Sequence, residues 1–327
     1  TPFNFPLNLV AHKLAPALAV GAPVIHKPAS TTPLTALKLA EVVAESGAPP
    51  EFLSVLPMKG AAAERLVTDK RVKVFTFTGS DEVGWHLKSL DPTKRVLLEL
   101  GGNAPAIVHS DADLDFAAQR IAVGGYAFAG QVCISVQRVL VHRPIYKEFC
   151  GRYVAEVEKL GVGDPGRDDT VVGPLISAKD LERIGDWVER ARSEGARVLC
   201  GGKADPPIYL PTVLDEVRED MWVSCKEVFG PVTVIYPYDT FTQAIHMAND
   251  SRYGLQAGVF TRDLGRVLEC QELLDYGGVI VNDYPTFRVD NMPYGGVKDS
   301  GFGREGLRYS MEEMSEQRLL VVNRNVL

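Results

Sequence analysis

Cys133 stands in the string Gly130-Gln131-Val132-Cys133-Ile134-Ser135, thirty-four residues beyond Glu99 in Leu97-Leu98-Glu99-Leu100-Gly101-Gly102. A thiol bracketed by small and β-branched residues and a carboxylate set in an apolar run are the two groups needed to form a thioester and then hydrolyse it. A free cysteine is usually an inert small hydrophobe, which suits Cys150, Cys200 and Cys270. Cys133 differs, because Gly130-Gln131 predicts a turn whose backbone N–H groups can lower the pKa of the thiol and face a ligand. Glu99 on pattern alone belongs to a buried strand, and the plain alternative is a strand-end carboxylate turned to solvent. Apolar surroundings raise a carboxyl pKa by desolvation, which suits a general base that must also hold a proton.

The elements around these residues alternate as in an α/β fold. Residues 24–27 form a short apolar strand, and 33–46 carry helical spacing (Leu34, Leu37, Leu39, Val42, Val43) that Gly47 stops. Residues 52–56 read as a strand, 61–68 as a helix, and 72–78 as a strand rich in β-branched and aromatic residues. Gly79-Ser80-Asp81-Glu82-Val83-Gly84 opens the next helix, and 95–98 is the next strand. Repeated β-α-β units predict a mostly parallel sheet. A second unit follows Gly101-Gly102. There Asp113 caps a helix to about residue 127, 138–142 is a strand, 146–160 an amphipathic helix, 161–169 a loop and 181–194 a helix. Short strands, turns and Glu227-Val228-Phe229-Gly230-Pro231 lead to a helix near 241–249. A Gly-rich stretch at 295–306 precedes a terminal strand near 317–323.

Composition bounds the rest. A chain of 327 residues predicts two domains. Hydrophobic content of 46%, charged content of 24% and a mean hydropathy near zero describe an ordinary soluble protein. A net charge of -7 argues against a nucleic-acid surface. No apolar run reaches the roughly 18 to 20 residues that span a bilayer. No signal peptide is visible, so the cytoplasm is the expected compartment. The five cysteines are odd in number, spread out and without CxxC spacing, which fits reduced thiols rather than disulfides or zinc. The start at Thr1-Pro2-Phe3-Asn4-Phe5-Pro6, without Met, reads as an interior segment.

Taken together, seven motifs in order resemble the NAD(P)-dependent aldehyde dehydrogenase superfamily. They are Pro2-Phe3-Asn4-Phe5-Pro6, Lys27-Pro28-Ala29-Ser30, Phe77-Thr78-Gly79-Ser80 with Gly84, Leu98-Glu99-Leu100-Gly101-Gly102, Gly130-Gln131-Val132-Cys133, Glu227-Val228-Phe229-Gly230-Pro231, and Pro293-Tyr294-Gly295-Gly296-Val297-Lys298 with Ser300-Gly301. The resemblance implies a Rossmann-like parallel-sheet cofactor domain over 1–101, incomplete at its start. An α/β catalytic domain over 102–300 follows, then a return to the cofactor domain with an oligomerisation strand over 301–327. It also implies that an N-terminal portion of a usual member is absent.

By the same resemblance Cys133 attacks the aldehyde carbonyl, and Glu99 activates the water that hydrolyses the thioester. Asn4, otherwise a turn residue beside prolines, joins the Cys133 N–H in an oxyanion hole worth on the order of 3 kcal/mol. Gly79, Ser80 and Gly84 cradle a pyrophosphate at a helix start; alone, this spacing is a weak signal and many such turns bind nothing. Lys27, otherwise a surface lysine, reaches an adenosine ribose. Ser30 stands where an acid would favour a free 2′-hydroxyl, so NADP is permitted beside NAD. Leu100, Glu227 and Phe229 complete the cofactor contacts, with no metal. The presence of Glu99 argues against an acyl-CoA-forming branch.

Arg288, in Asn282-Asp283-Tyr284-Pro285-Thr286-Phe287-Arg288-Val289-Asp290, falls on the loop that lines the family's substrate entrance. It could bind an anionic aldehyde through a charge-assisted pair, or stand as an exposed loop arginine. The substrate expected is a small hydroxy-, phospho- or semialdehyde, and the assembly a homodimer or homotetramer. An inactive fragment and a cofactor-independent thiol esterase are the rival readings. A Cys-His protease is not supported, since no histidine lies in a nearby motif.

Overall fold

The computed structural model describes residues 1–326. Its strands in chain order are β1 (Val24–His26), β2 (Leu53–Val55), β3 (Val74–Thr78), β4 (Arg95–Glu99), β5 (Ala104–Val108), β6 (Val136–His142) and β7 (Arg197–Cys200). A small hairpin, β8 (Ala204–Asp205) and β9 (Ile208–Tyr209), precedes β10 (Thr212–Asp215), β11 (Val232–Tyr238), β12 (Tyr253–Gly254), β13 (Gln256–Phe260), β14 (Gly278–Val281), β15 (Val297–Lys298) and β16 (Gly301–Phe302).

Seven of these make one sheet in the order β14-β13-β5-β6-β11-β10-β7. It is parallel throughout except where β7 closes the edge against β10. Every residue of β5 and β13 is buried, as a parallel strand covered on both faces requires. Helix Leu114–Tyr126 covers it, started by Asp113, whose carboxylate accepts from the Phe116 N–H at 3.1 Å. Tyr126, Phe149, Tyr153 and Ile121 fill the space between helices and sheet.

A second sheet, β16-β4-β3, carries Glu99 at the end of β4. Its third strand comes from near the far end of the chain, pairing Gly301 with Glu99 and Phe302 with Leu98. The main chain then passes through Gly101-Gly102 into β5. Gly102 is obligatory at that crossing, since a Cβ there would lie 2.0 Å from the Cys133 carbonyl oxygen.

Helix Asn8–Ala19, with Pro16 inside it, occupies a stretch to which the sequence reading assigned no element. Its residues are apolar on most sides, so they give no amphipathic stripe, and a proline reads as a breaker. β5 and β13 also occupy stretches to which the sequence reading assigned no element, because Ala, Pro and Gly weaken a strand signal. The terminal strand expected near 317–323 is a correction. Those residues carry no ladder, and Leu319, Leu320 and Val321 are each more than three-quarters exposed. A strand exists only through its pairing, and this chain lays none beside them.

Arg138 on β6 is the polar tie of the large sheet. Its Nε donates to Asn103 Oδ1 at 2.7 Å, Nη1 to the Met247 carbonyl at 2.7 Å, and Nη2 to the Ala248 carbonyl at 2.9 Å and the Tyr276 hydroxyl at 3.1 Å. Arg138→Leu strands those acceptors in a dry site and should cost on the order of 3 kcal/mol. Urea unfolding checks this; an unchanged midpoint refutes the tie.

Candidate active site

The approach to Cys133 is a strained turn. Phe128, Ala129 and Gly130 follow one another at φ of 55°, 56° and 66°. Left-handed non-glycine residues cost about 1–3 kcal/mol each and persist only where the surroundings over-determine them. Here the Phe128 ring meets Phe5 edge-on at 4.8 Å, and Gln131 Oε1 accepts from the Ile176 N–H at 3.0 Å. Ser135 Oγ donates to the Gly125 carbonyl at 3.0 Å, and Thr286 Oγ1 to the Ile134 carbonyl at 3.1 Å. A Cβ on Gly130 would lie 2.2 Å from the Gly230 carbonyl oxygen, so the turn admits only glycine there.

The thiol sits in an apolar group of Val132, Ile134, Leu255, Tyr294 and Phe5. Burial pushes its pKa up to about 12, against the opposing hydrogen bond from the Tyr294 hydroxyl at 3.5 Å. The expected lowering by turn N–H groups is therefore corrected: desolvation outweighs it, and the resting group is a thiol.

Glu99 follows the expectation. Its side chain is buried, Oε2 has no hydrogen-bond partner, and burial followed by the charge of Glu305 raises its pKa well above the usual carboxylate range. Gly295 lets the main chain approach, since a Cβ there would lie 2.9 Å from Glu99 Oε1. Sequence reasoning missed the groups that set this field. Lys13 Nζ contacts Glu305 Oε1 at 2.5 Å and Thr76 Oγ1 at 2.8 Å, and Arg288 lies 3.5 Å from Glu305 Oε2. Burial alone would raise Glu305, but Lys13 holds it below its ordinary value. A lone lysine inside the apolar run Leu9-Val10-Ala11-His12-Lys13-Leu14 was the available signal.

Asn4 reaches the same place from the chain start. Its Nδ2 donates to the Gln131 carbonyl at 2.8 Å, which leaves the second amide hydrogen free for a developing oxyanion. The Cys133 N–H has no backbone acceptor among the described residues. Phe3 packs edge-on against Phe229 at 5.9 Å, tying this segment to the cofactor loop.

Glu227 is half-buried, and Oε1 accepts from the Gly102 N–H at 2.8 Å; desolvation lifts its pKa to about 8. Phe229 beside it holds φ of 48°. Ser80 precedes helix Asp81–Leu90 and makes no side-chain cap, and the Gly79 N–H is taken by the Glu99 carbonyl at 3.1 Å. A Cβ on Gly84 would lie 2.3 Å from the buried Leu100 side chain, so the helix start lies flat against the end of β4. Lys27 is half-buried with its pKa lowered by burial, and Ser30 is exposed and carries no acid. A glycine-lined helix start, a half-buried acid suited to ribose hydroxyls and an uncharged Ser30 fit a dinucleotide with or without a 2′-phosphate. Arg288 is no exposed loop arginine: only 14% of its side chain is accessible, and it stacks on Tyr294 at 3.9 Å.

The site thus combines a half-buried thiol, a proton-holding carboxyl, a free amide hydrogen on Asn4 and a glycine-lined helix start, groups that a cysteine-dependent oxidoreductase could use. A profile of the aldehyde dehydrogenase family matches residues 1–320. The 3-sulfolactaldehyde dehydrogenase of Priestia megaterium is 50% identical over 324 residues, 99% of this chain and 68% of that protein. The lactaldehyde dehydrogenase of Methanocaldococcus jannaschii is 41% identical, over 99% of this chain and 71% of its own. Among solved structures, aldehyde dehydrogenase 21 from Physcomitrella patens, in complex with succinate, superposes with a TM-score of 0.96 at 45% identity, covering 98% of this chain and 67% of that one. The chain belongs to the aldehyde dehydrogenase family, whose chemistry is the NAD(P)-dependent oxidation of an aldehyde to a carboxylic acid.

Glu227 gives a pH test. Its folded pKa of about 8 lies above the ordinary 4.5, so the stability drawn from its neutral form is full below about 4.5 and is lost as pH rises through 8. Glu227→Gln, which still accepts from Gly102, should melt with wild type near pH 4.5 and above it at pH 8.5. Coincident melting curves at both pH values refute the shift.

Proposed function

We propose that Cys133, Glu99 and Asn4 carry out this oxidation on a small polar aldehyde. The observation that carries the reading is the convergence of four distant segments on the Cys133 loop: Asn4 bonds the Gln131 carbonyl, and the charges of Glu99 and Glu227 both reach the Cys133 thiol. The Cys133 thiol gives its proton to solvent, and its sulfur adds to the aldehyde carbon. Asn4 Nδ2 and the Cys133 N–H receive the oxyanion. Glu227, Phe229 and Leu100 would hold the nicotinamide end of the cofactor, Gly79, Ser80 and Gly84 its phosphates and Lys27 its adenosine ribose, and the cofactor bound there would supply the hydride acceptor. A thioester remains on Cys133. Glu99, ionised once a cation lies nearby, takes a proton from water, the water attacks the thioester, and acid and thiol are released.

The substrate is a small aldehyde bearing a hydroxyl or an anionic group. Two supports are the names of the relatives, lactaldehyde and 3-sulfolactaldehyde dehydrogenases, and the place of Arg288. Its Nε is buried without a partner, and it stacks on the tyrosine that touches Cys133. The exposed run Leu319-Leu320-Val321-Val322 suits pairing with a second copy in a dimer or tetramer. Five free cysteines suit the cytoplasm. No helix among the described residues is long and apolar enough to cross a membrane.

Two measurements test this. NAD(P)H formation over an aldehyde panel should be lost in Cys133→Ala, while Glu99→Gln should release one equivalent and stop as the thioester. Ester hydrolysis without NAD(P)H formation would mark a thiol esterase, and silence in both assays an inactive fragment. Arg288→Ala should raise KM for an anionic aldehyde about tenfold or more, the worth of one charged hydrogen bond, and leave KM for propanal nearly unchanged. Equal changes in both would remove Arg288 from substrate binding.

A further inference from the structure

Among the described residues the Cys133 sulfur has one polar side chain within hydrogen-bonding distance, the Tyr294 hydroxyl at 3.5 Å. Tyr294 is fixed there by its backbone. Its N–H donates to the Glu305 carbonyl at 2.9 Å, and its carbonyl accepts from the Glu305 N–H at 2.6 Å. The ring is buried and carries the Arg288 guanidinium on its face, 3.9 Å from the centroid. A cation on that face withdraws electron density from the ring and makes the phenol a stronger donor. Burial, followed by the nearness of Cys133 and Glu99, pushes the phenol pKa well above its ordinary value, so the hydroxyl keeps its proton at neutral pH. No hydrogen bond joins Asn4 to the sulfur; its Nδ2 donates to the Gln131 carbonyl.

We propose that Tyr294 is a catalytic residue of this site, its O–H donating to the Cys133 sulfur and holding the thiolate before attack and after expulsion. The inference rests on Cys133 being the nucleophile. In the first half-reaction the thiol proton passes to solvent, and the sulfur lone pair forms the S–C bond. The carbonyl π pair then moves to oxygen. In the second half-reaction the hydrated thioester expels sulfur with its electron pair, and the same O–H receives it. Tyr294 therefore acts on both halves, whereas water activation by Glu99 acts on the second alone.

Holding a thiolate has an opposing effect. A tenfold gain in thiolate is partly cancelled because nucleophilicity falls with thiol pKa at a Brønsted slope of about 0.4–0.5, leaving a net gain of about threefold.

The test is Tyr294→Phe, in which the ring keeps its place and only the hydroxyl is lost. Cys133 alkylation by iodoacetamide, located by peptide mapping, and the single-turnover burst of NAD(P)H should both slow about threefold between pH 7 and 9. Placing 3-fluorotyrosine, a stronger donor of nearly the same shape, at position 294 should raise both rates above those of wild type, which a purely structural role would not produce. Wild-type rates in Tyr294→Phe, with Cys133→Ala inactive, overturn the role of the tyrosine and leave the nucleophile in place. So does a 3-fluorotyrosine protein as slow as the phenylalanine variant. NAD(P)H formation by Cys133→Ala overturns the nucleophile and this inference with it.

Discussion

A carboxyl group without a partner, sealed into the seam between two sheets, sets the terms for the rest of the site. Removing an ionised carboxylate from water costs several kcal/mol even after relaxation, so Glu99 holds its proton at rest. Glu305 nearby does the opposite, because Lys13 sits at 2.5 Å and Arg288 at 3.5 Å from its two oxygens. Two carboxyls in one cleft thus take different protonation states, each set by its neighbours. Lys13 is delivered by helix Asn8–Ala19, which packs against helix Leu307–Glu313 just beyond Glu305. Segments from both ends of the chain therefore fix the state of a residue in its first third.

Close main-chain approach is the second requirement, and adjacent glycines supply it. A Cβ on Gly101 would lie 2.5 Å from Glu227 Oε2, and one on Gly102 would lie 2.0 Å from the Cys133 carbonyl oxygen. Two neighbouring residues thus let Glu227 and the Cys133 loop dock on the end of the strand that carries Glu99. The strain at Phe128 and Ala129 lies on the far side of the same contact. The turn is held by Phe5 and by Gln131, and Gln131 also receives Asn4. Strain, oxyanion donor and nucleophile are coupled through one loop.

Much of this was legible in residue types. β3 announces itself by a β-branched and aromatic run and β4 by a short apolar one, and Asp113 marks its helix by the capping role that the structure shows. Legibility ended where a feature depends on pairing across the chain. Lys13 and Glu305 lie 292 positions apart, and Cys133 and Tyr294 lie 161 apart. No local spacing can couple such residues. The terminal segment failed for a related reason, since apolar alternation predicts a strand but cannot supply its partner. The direction of the Cys133 pKa was misjudged because a turn is local and visible, while burial by Leu255 and Tyr294 is neither.

The pKa values of the cleft then explain why these groups stand together. Cys133 at about 12, Glu227 at about 8 and Glu99 well above the carboxylate range are all acids kept neutral chiefly by desolvation. Each would move toward its ionised form if a cation came within about 4–6 Å, because opposite charge offsets the desolvation that holds the proton on. The oxidised nicotinamide on which the family's chemistry depends is such a cation. A site of neutral acids around a cradle for a positive ring stays chemically quiet when empty, because the reactive species is the thiolate and not the thiol. The same desolvation that makes the thiol inert at rest makes its thiolate responsive to one nearby charge, so burial at Cys133 serves restraint and activation alike.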